Sequence, residues 1–254
     1  MLDIVQLAVL NDNYIYLIHE PVSAKTAVVD PAIDQPVLDT LKQKGWTLDY
    51  IFNTHHHFDH VGANLALKEA TNCQILAAEA DQHRIPGIDK ALKDGDEISM
   101  GNEAVKIIET PGHTLGHIVF HFYNSNILFC GDTLFSMGCG RLFEGSAEQM
   151  CHSLQRLKAL PKETTIYCTH EYTQANGKFA LTLEPENKAL QQRIKQVNQL
   201  RADNKATIPS TLEQELATNP FLREDSLALQ QSINMTGQAG VDIFRETRRL
   251  KDNF

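Results

Sequence analysis

Four histidines and one carboxylate occupy the run Thr54-His55-His56-His57-Phe58-Asp59-His60, directly after the apolar segment Asp49-Tyr50-Ile51-Phe52-Asn53. Imidazole nitrogens and carboxylate oxygens bind zinc-like cations at about 2 Å. An extended backbone from 55 to 57 turns His55 and His57 to one face, where they can share an ion. His56 then faces the other way, in a supporting position. A turn beyond it can swing Asp59 and His60 toward a neighbouring ion, next to the positive end of a helix expected over 61–70. An internal cluster placed after a buried strand is unlike an exposed polyhistidine stretch.

Three later residues fit the same chemistry at the ends of apolar runs. His113 lies in Pro111-Gly112-His113-Thr114-Leu115-Gly116-His117, Asp132 follows Ile127-Leu128-Phe129-Cys130-Gly131, and His170 follows Thr164-Thr165-Ile166-Tyr167-Cys168-Thr169. Each alone reads as a turn or surface residue. Their common placement at strand ends is what makes them candidates. His117, His121 and His152 read as structural. Asp30, before Pro31, has two open readings: a carboxylate that orients the histidine cluster, or a turn residue.

The surrounding pattern is mixed. Residues 4–10, 14–19 and 26–30 read as early strands, 35–44 as a helix ending at Gly45, and 74–77, 104–109, 117–123, 127–131 and 164–168 as further strands. Ser146 and Gln149 make a capping box before a helix carrying Met150, Leu154, Leu157 and Leu160 on one face. Strands and helices interleave without a regular βαβ period, which favours an α+β arrangement of two sheet layers covered by helices. After residue 170 the pattern becomes helical: Ala189, Leu190, Ile194, Val197 and Leu200 form a stripe, Ser210 and Glu213 read as another capping box, and the last fourteen residues again have helical spacing. The expected division is a catalytic domain over 1–170 and a smaller helical domain over 171–254.

The run Thr54–His60, followed by His113, Asp132 and His170, resembles the HxHxDH pattern of the metallo-β-lactamase superfamily. The resemblance implies an αββα sandwich. It places His55, His57 and His113 on one metal, Asp59, His60 and His170 on a second, and Asp132 between them. Asp59 and Asp132 are the implied catalytic carboxylates. Two divalent ions are implied, zinc being the expected occupant, with iron or manganese compatible with such borderline ligands. A structural zinc site would close one shell of four ligands, whereas seven candidates imply an open pair.

Further segments narrow the resemblance to the glyoxalase II, or hydroxyacylglutathione hydrolase, family along nearly the whole chain. They are Cys130–Phe135, Gly138–Arg141, Phe143–Gly145, His170–Thr173, Asn219–Arg223 and Arg248–Asp252. The family pattern implies that Arg141, Tyr172, Arg248 and Lys251 bind glutathione, whose two carboxylates suit cationic partners. Phe143 departs from it, standing where some members carry a glutathione-contacting tyrosine. The implied reaction is attack of a metal-bridging hydroxide on the thioester of S-D-lactoylglutathione, releasing D-lactate and glutathione. Lactonase, β-lactamase-like and persulfide dioxygenase chemistries share the cage, and the helical tail argues against them.

Charge and composition are compatible with this. The net charge of −9 lies wholly in residues 1–170, with 12 Lys/Arg against 21 Asp/Glu, and argues against a nucleic-acid partner. No apolar run is long enough to span a bilayer and no basic leader precedes one, so a cytoplasmic protein without a membrane partner is expected. Five cysteines without a CxxC pair argue against a disulfide framework. A monomer is the expected state.

Overall fold

The computed structural model describes residues 1–254. Two compact units are present, Met1–Glu109 with Leu115–Gly131, and Thr110–Thr114 with Asp132–Phe254.

In the first unit, β1 (Asp3–Val9), β2 (Asn13–Glu20), β3 (Lys25–Val29), α1 (Gln35–Lys44), β4 (Tyr50–Phe52), α2 (Phe58–Val61), α3 (Asn64–Thr71), β5 (Gln74–Ala78) and β6 (Lys90–Leu92) follow in order. The six strands make one sheet in chain order. β1, β2 and β3 pair antiparallel, whereas β3, β4, β5 and β6 run parallel. Parallel neighbours need a crossover, supplied by α1 and by the α2–α3 pair. A second antiparallel run comprises β7 (Glu97–Met100), β8 (Glu103–Glu109), β9 (Ile118–Phe122) and β10 (Ile127–Gly131).

Strand β2 is buried along its whole length, as a strand covered on both faces must be. Its Ile15 and Leu17 pack with Val37, Leu41 and Leu67 of the covering helices. The intervening Tyr16 turns to the opposite face and meets Phe129 of β10 at 5.5 Å between ring centroids. Phe52 stacks on Phe120 of β9 at 4.8 Å. These rings join the two strand layers within the unit.

The helix expected over 61–70 is two helices, and it starts earlier. The Ala63 amide donates to the Pro31 carbonyl at 2.9 Å instead of continuing a helical ladder. A Cβ on Gly62 would lie 2.5 Å from the Ala32 carbonyl oxygen, so only glycine permits this approach. Asp59 and His60 therefore sit in the first turn of α2 itself.

The second unit contains β11 (Leu134–Phe135), β12 (Gly138–Cys139), α4 (Ala147–Lys158), β13 (Thr165–Cys168), α5 (Thr173–Leu183), α6 (Lys188–Ala202), β14 (Ser210–Thr211), α7 (Leu212–Thr218), α8 (Leu227–Ser232) and α9 (Gly240–Asp252). Ser146 and Gln149 form the expected capping box of α4. The second box falls one residue later than expected: Thr211 caps α7 with Gln214. Both Ser210 and Thr211 pair with β13, and the helix begins at Leu212, which makes Thr211 the residue placed to receive the Gln214 amide. Met137, Ala180, Leu190 and Val197 form a local core. Ile243, Phe244, Thr247 and Arg248 make the buried stripe of α9. Its i, i+1, i+4, i+5 spacing fits one helical face.

All five cysteines are free thiols, and Cys73, Cys130, Cys139 and Cys168 are buried. Burial pushes the Cys139 thiol up to about 11 and also raises that of Cys168. No helix is long and apolar enough to cross a membrane.

Candidate metal centre

The first unit places its donors just beyond β4. Asn53 Nδ2 donates to the His60 carbonyl at 2.9 Å, and the Asn53 and Asn64 side chains bond each other, bracing the bend between strand and α2. His55 Nε2 and His57 Nδ1 converge at 3.0 Å. The rings of His55 and His60 are 4.0 Å apart, and His60 Nε2 is 3.6 Å from Asp59 Oδ2. Ligand atoms of His55 and His57, of His55 and His60, and of Asp59 and His60 lie within 4.8 Å of one another.

Asp30 resolves toward the orienting reading. It is buried, accepts from the Thr54 amide at 2.8 Å and the Thr54 hydroxyl at 2.7 Å, and meets His60 Nδ1 at 3.0 Å. Its φ of 49° lies in the left-handed region, a strain that these contacts over-determine. His55 Nδ1 is 3.1 Å from the Thr54 hydroxyl. Both rings thus have one nitrogen engaged and the other turned to the donor cluster, the arrangement that orients metal-binding imidazoles. His56 turns away to Asp81 at 2.9 Å, and His117 stacks on His55 at 4.9 Å. His121 is buried, which lowers its pKa, and Lys106 adds to this. His152 is exposed.

The second unit carries the other three donors. Asp132 Oδ2 lies 3.5 Å from His113 Nε2 and 3.4 Å from His170 Nε2. His113 Nδ1 donates to the Arg141 carbonyl at 2.9 Å, leaving Nε2 facing Asp132. A Cβ on Gly140 would come within 2.0 Å of the Asp132 carbonyl oxygen, which accounts for glycine before Arg141. In both units, the donor chemistry and the engaged far nitrogens fit divalent ions.

Aromatic and basic side chains surround these donors in the second unit. Tyr172 stacks on His170 at 4.8 Å with planes 3° apart, and Phe143 packs on His113 at 5.0 Å while remaining 62% exposed. Arg141 is exposed. Arg248 is buried, donates from Nη1 to the Cys139 carbonyl at 3.0 Å, and pairs with Asp252 at 2.8 Å. Lys251 Nζ lies 5.3 Å from the Phe179 ring and 5.4 Å from that of Phe254. Burial, followed by the charges of Arg248 and Arg141, holds the Lys251 ammonium below its usual pKa.

Sequence reasoning missed two supports. Asn13 Nδ2 donates to Asp59 Oδ2 at 2.9 Å from the start of β2, and a lone Asn in a turn gives no warning of this. Glu171 accepts from the Thr207 amide at 2.8 Å and hydroxyl at 2.6 Å, anchoring the segment that carries His170 and Tyr172.

Residues 10–170 match the metallo-beta-lactamase superfamily model, and residues 171–254 match the hydroxyacylglutathione hydrolase C-terminus model. A hydroxyacylglutathione hydrolase of Methylococcus capsulatus is 56% identical over 100% of this chain and 99% of its own length. Another, from Rhodospirillum rubrum, is 52% identical over the same shares. The crystal structure of ETHE1 from Myxococcus xanthus aligns with a TM-score of 0.68 at 24% identity, covering 99% of this chain and 90% of that one. The BLEG-1 B3 metallo-beta-lactamase structure aligns at 0.65 with 22% identity, covering 87% and 99%. These likenesses show the αββα sandwich fold alone, and it is the match of residues 171–254 that points to the hydroxyacylglutathione hydrolases. By full-length similarity to its curated relatives, the chain belongs to the hydroxyacylglutathione hydrolase family of the metallo-β-lactamase superfamily.

Proposed function

We propose that this chain hydrolyses S-D-lactoylglutathione and related glutathione thioesters to a 2-hydroxy acid and glutathione. The observation that carries the reading is full-length similarity to hydroxyacylglutathione hydrolases, together with buried His and Asp donors able to hold metal. In this reading His55, His57 and His113 hold one divalent ion, Asp59, His60 and His170 hold another, and Asp132 is shared. When bound, such a pair supplies a hydroxide at neutral pH and polarises the thioester carbonyl; zinc, iron and manganese all suit the donors.

The protein's own groups orient this chemistry. Asp30 and the Arg141 carbonyl fix the tautomers of His60 and His113, and Asn13 holds one oxygen of Asp59. Residues 171–254 form the substrate-binding part, whose Tyr172, Arg248 and Lys251 take the glutathione carboxylates and peptide groups together with Arg141 from outside it. Phe143 contributes apolar contact beside His113. A thiolate is a good leaving group, so no dedicated general acid is required.

Metal analysis and free-thiol release on one preparation test the reading. Roughly two ions per chain and steady thiol release from S-D-lactoylglutathione are expected. A fully loaded protein that released no thiol would sink it.

Two further results are expected. Lys251 loses its cationic form at a pH lower than an ordinary lysine does. The KM for the thioester should therefore rise as pH climbs toward 10.5, and Lys251→Gln should raise KM at neutral pH and flatten the alkaline rise. A variant that keeps the wild-type pH profile would remove Lys251 from substrate binding. Phe143→Tyr adds a hydroxyl where some members of the family carry one. One net hydrogen bond is worth about 0.5–1.5 kcal/mol, so KM should fall by roughly 2- to 10-fold with kcat little changed. An unchanged KM would show that the position contributes only apolar contact.

A further inference from the structure

The short hairpin of β11 and β12 runs from just after Asp132 to just before Arg141. Side chains from the C-terminal helices hold its backbone. Asn219 Nδ2 donates to the carbonyls of Phe135 at 3.0 Å and Gly138 at 2.9 Å. Glu215 Oε2 accepts from the Met137 amide at 2.7 Å and from Asn219 Nδ2 at 3.1 Å. Asn176 Nδ2 donates to the Ser136 carbonyl at 3.1 Å, and Arg248 Nη1 to that of Cys139 at 3.0 Å. Asn219 and Glu215 are fully buried, and Asn219 Oδ1 is itself fixed by the Phe221 amide at 3.0 Å. Met137, at the turn, has φ of 55° and packs into the core of α5 and α6.

A buried carboxylate and amide are costly to desolvate, and a two-strand hairpin this short has little stability of its own. Most of the hydrogen bonds these two side chains make go to this turn, with Ser210 and Phe221 as their partners outside it. The hairpin in turn carries groups of the substrate side. The Phe135 ring packs edge-on against Tyr172 at 5.3 Å and against His170 at 5.9 Å. The Cys139 carbonyl receives Arg248, and the strand leads into Arg141, whose carbonyl receives His113.

We propose that Asn219 and Glu215 are positioning residues for thioester hydrolysis, which fix the β11–β12 hairpin and through it set Tyr172, Arg248 and Arg141 for the glutathione part of the substrate. This rests on the hydrolase reading above. The helical region then acts on the substrate in two ways: by contributing cations, and by fixing a hairpin that lies outside its helices.

The test uses metal-loaded full-length protein and two readouts. In Asn219→Ala, amide hydrogen exchange across residues 134–141 should accelerate at least about tenfold, while exchange in α6 stays as in the wild type. KM for S-D-lactoylglutathione should rise by about tenfold or more, with kcat within about threefold and metal content unchanged. Glu215→Gln, which keeps an acceptor for the Met137 amide, should shift both readouts less. Leu41→Ala, a core truncation in α1 away from the hairpin, serves as a control for stability loss and should leave KM within about twofold. Unchanged hairpin exchange in Asn219→Ala, or a KM shift no larger than that of the Leu41 control, would overturn the proposal. If Asn219→Ala does not fold, Glu215→Ala, which removes the acceptor of the Met137 amide, decides in its place, with unchanged exchange and KM counting against the proposal. Absence of thiol release by the wild type would instead refute the hydrolase reading, and the exchange measurement would still decide whether the hairpin is held.

Discussion

Replacing Asp132 with alanine is expected to lower thioester turnover by roughly 10³-fold or more and to cut bound metal to about one ion per chain or fewer. Its carboxylate is almost wholly buried, with one oxygen 3.5 Å from His113 Nε2 and 3.4 Å from His170 Nε2. Divalent ions held by neutral imidazoles need nearby negative charge, and within the second unit's donor set Asp132 is the only carboxylate. Asp132→Asn keeps the shape and removes the charge, so it should lose nearly as much as alanine. Metal stoichiometry and thiol release measured on the same sample decide the matter. An asparagine variant with near-normal metal content and rate would mean that the carboxylate does not serve as a shared ligand.

The second large effect is expected at a residue that touches no metal in the proposed scheme. Asp30→Ala strands the Thr54 amide, the Thr54 hydroxyl and His60 Nδ1, all within 3.0 Å of its carboxylate. Leaving a buried polar group unsatisfied costs about 1–3 kcal/mol, so the loss should be several kcal/mol, visible as a large drop in Tm. Metal affinity should fall by roughly 10- to 100-fold, as for other groups that orient ligand histidines. Asp30→Asn tolerates the left-handed backbone and retains one acceptor oxygen, so it should recover much of the stability and less of the affinity. Chelator competition separates the two effects. Alanine at this position with affinity within about threefold of wild type would refute the orienting role.

Sequence made different parts of the molecule legible for different reasons. The long strands β2, β8, β9 and β10 announce themselves as apolar runs bounded by turns, and α4 by its capping box. By contrast, β6 is Lys-Ala-Leu, and β11, β12 and β14 are two residues each, too short for any period to register. β7 does alternate between exposed and buried positions, but only over four residues between polar turns. The donors were readable because their chemical type is unusual in such density. Their supports were not. Asn13, Glu171, Asn219 and Glu215 are ordinary polar residues whose importance lies in partners 46, 36, 84 and 78 positions away. No local pattern encodes such pairings.

The buried cysteines bear on the chemical company this protein would keep. Thiol–disulfide exchange requires an accessible thiolate, and its rate follows the fraction ionised. Four of the five sulfurs are enclosed, and burial holds Cys139 protonated up to about 11 even though Arg248 beside it pulls the other way. A catalyst whose proposed product is itself a free thiol would meet that thiol's oxidised form as well. With four sulfurs shut away and the half-buried Cys151 thiol held above its usual pKa by partial burial, it is poorly disposed to capture its product as a mixed disulfide in such a medium.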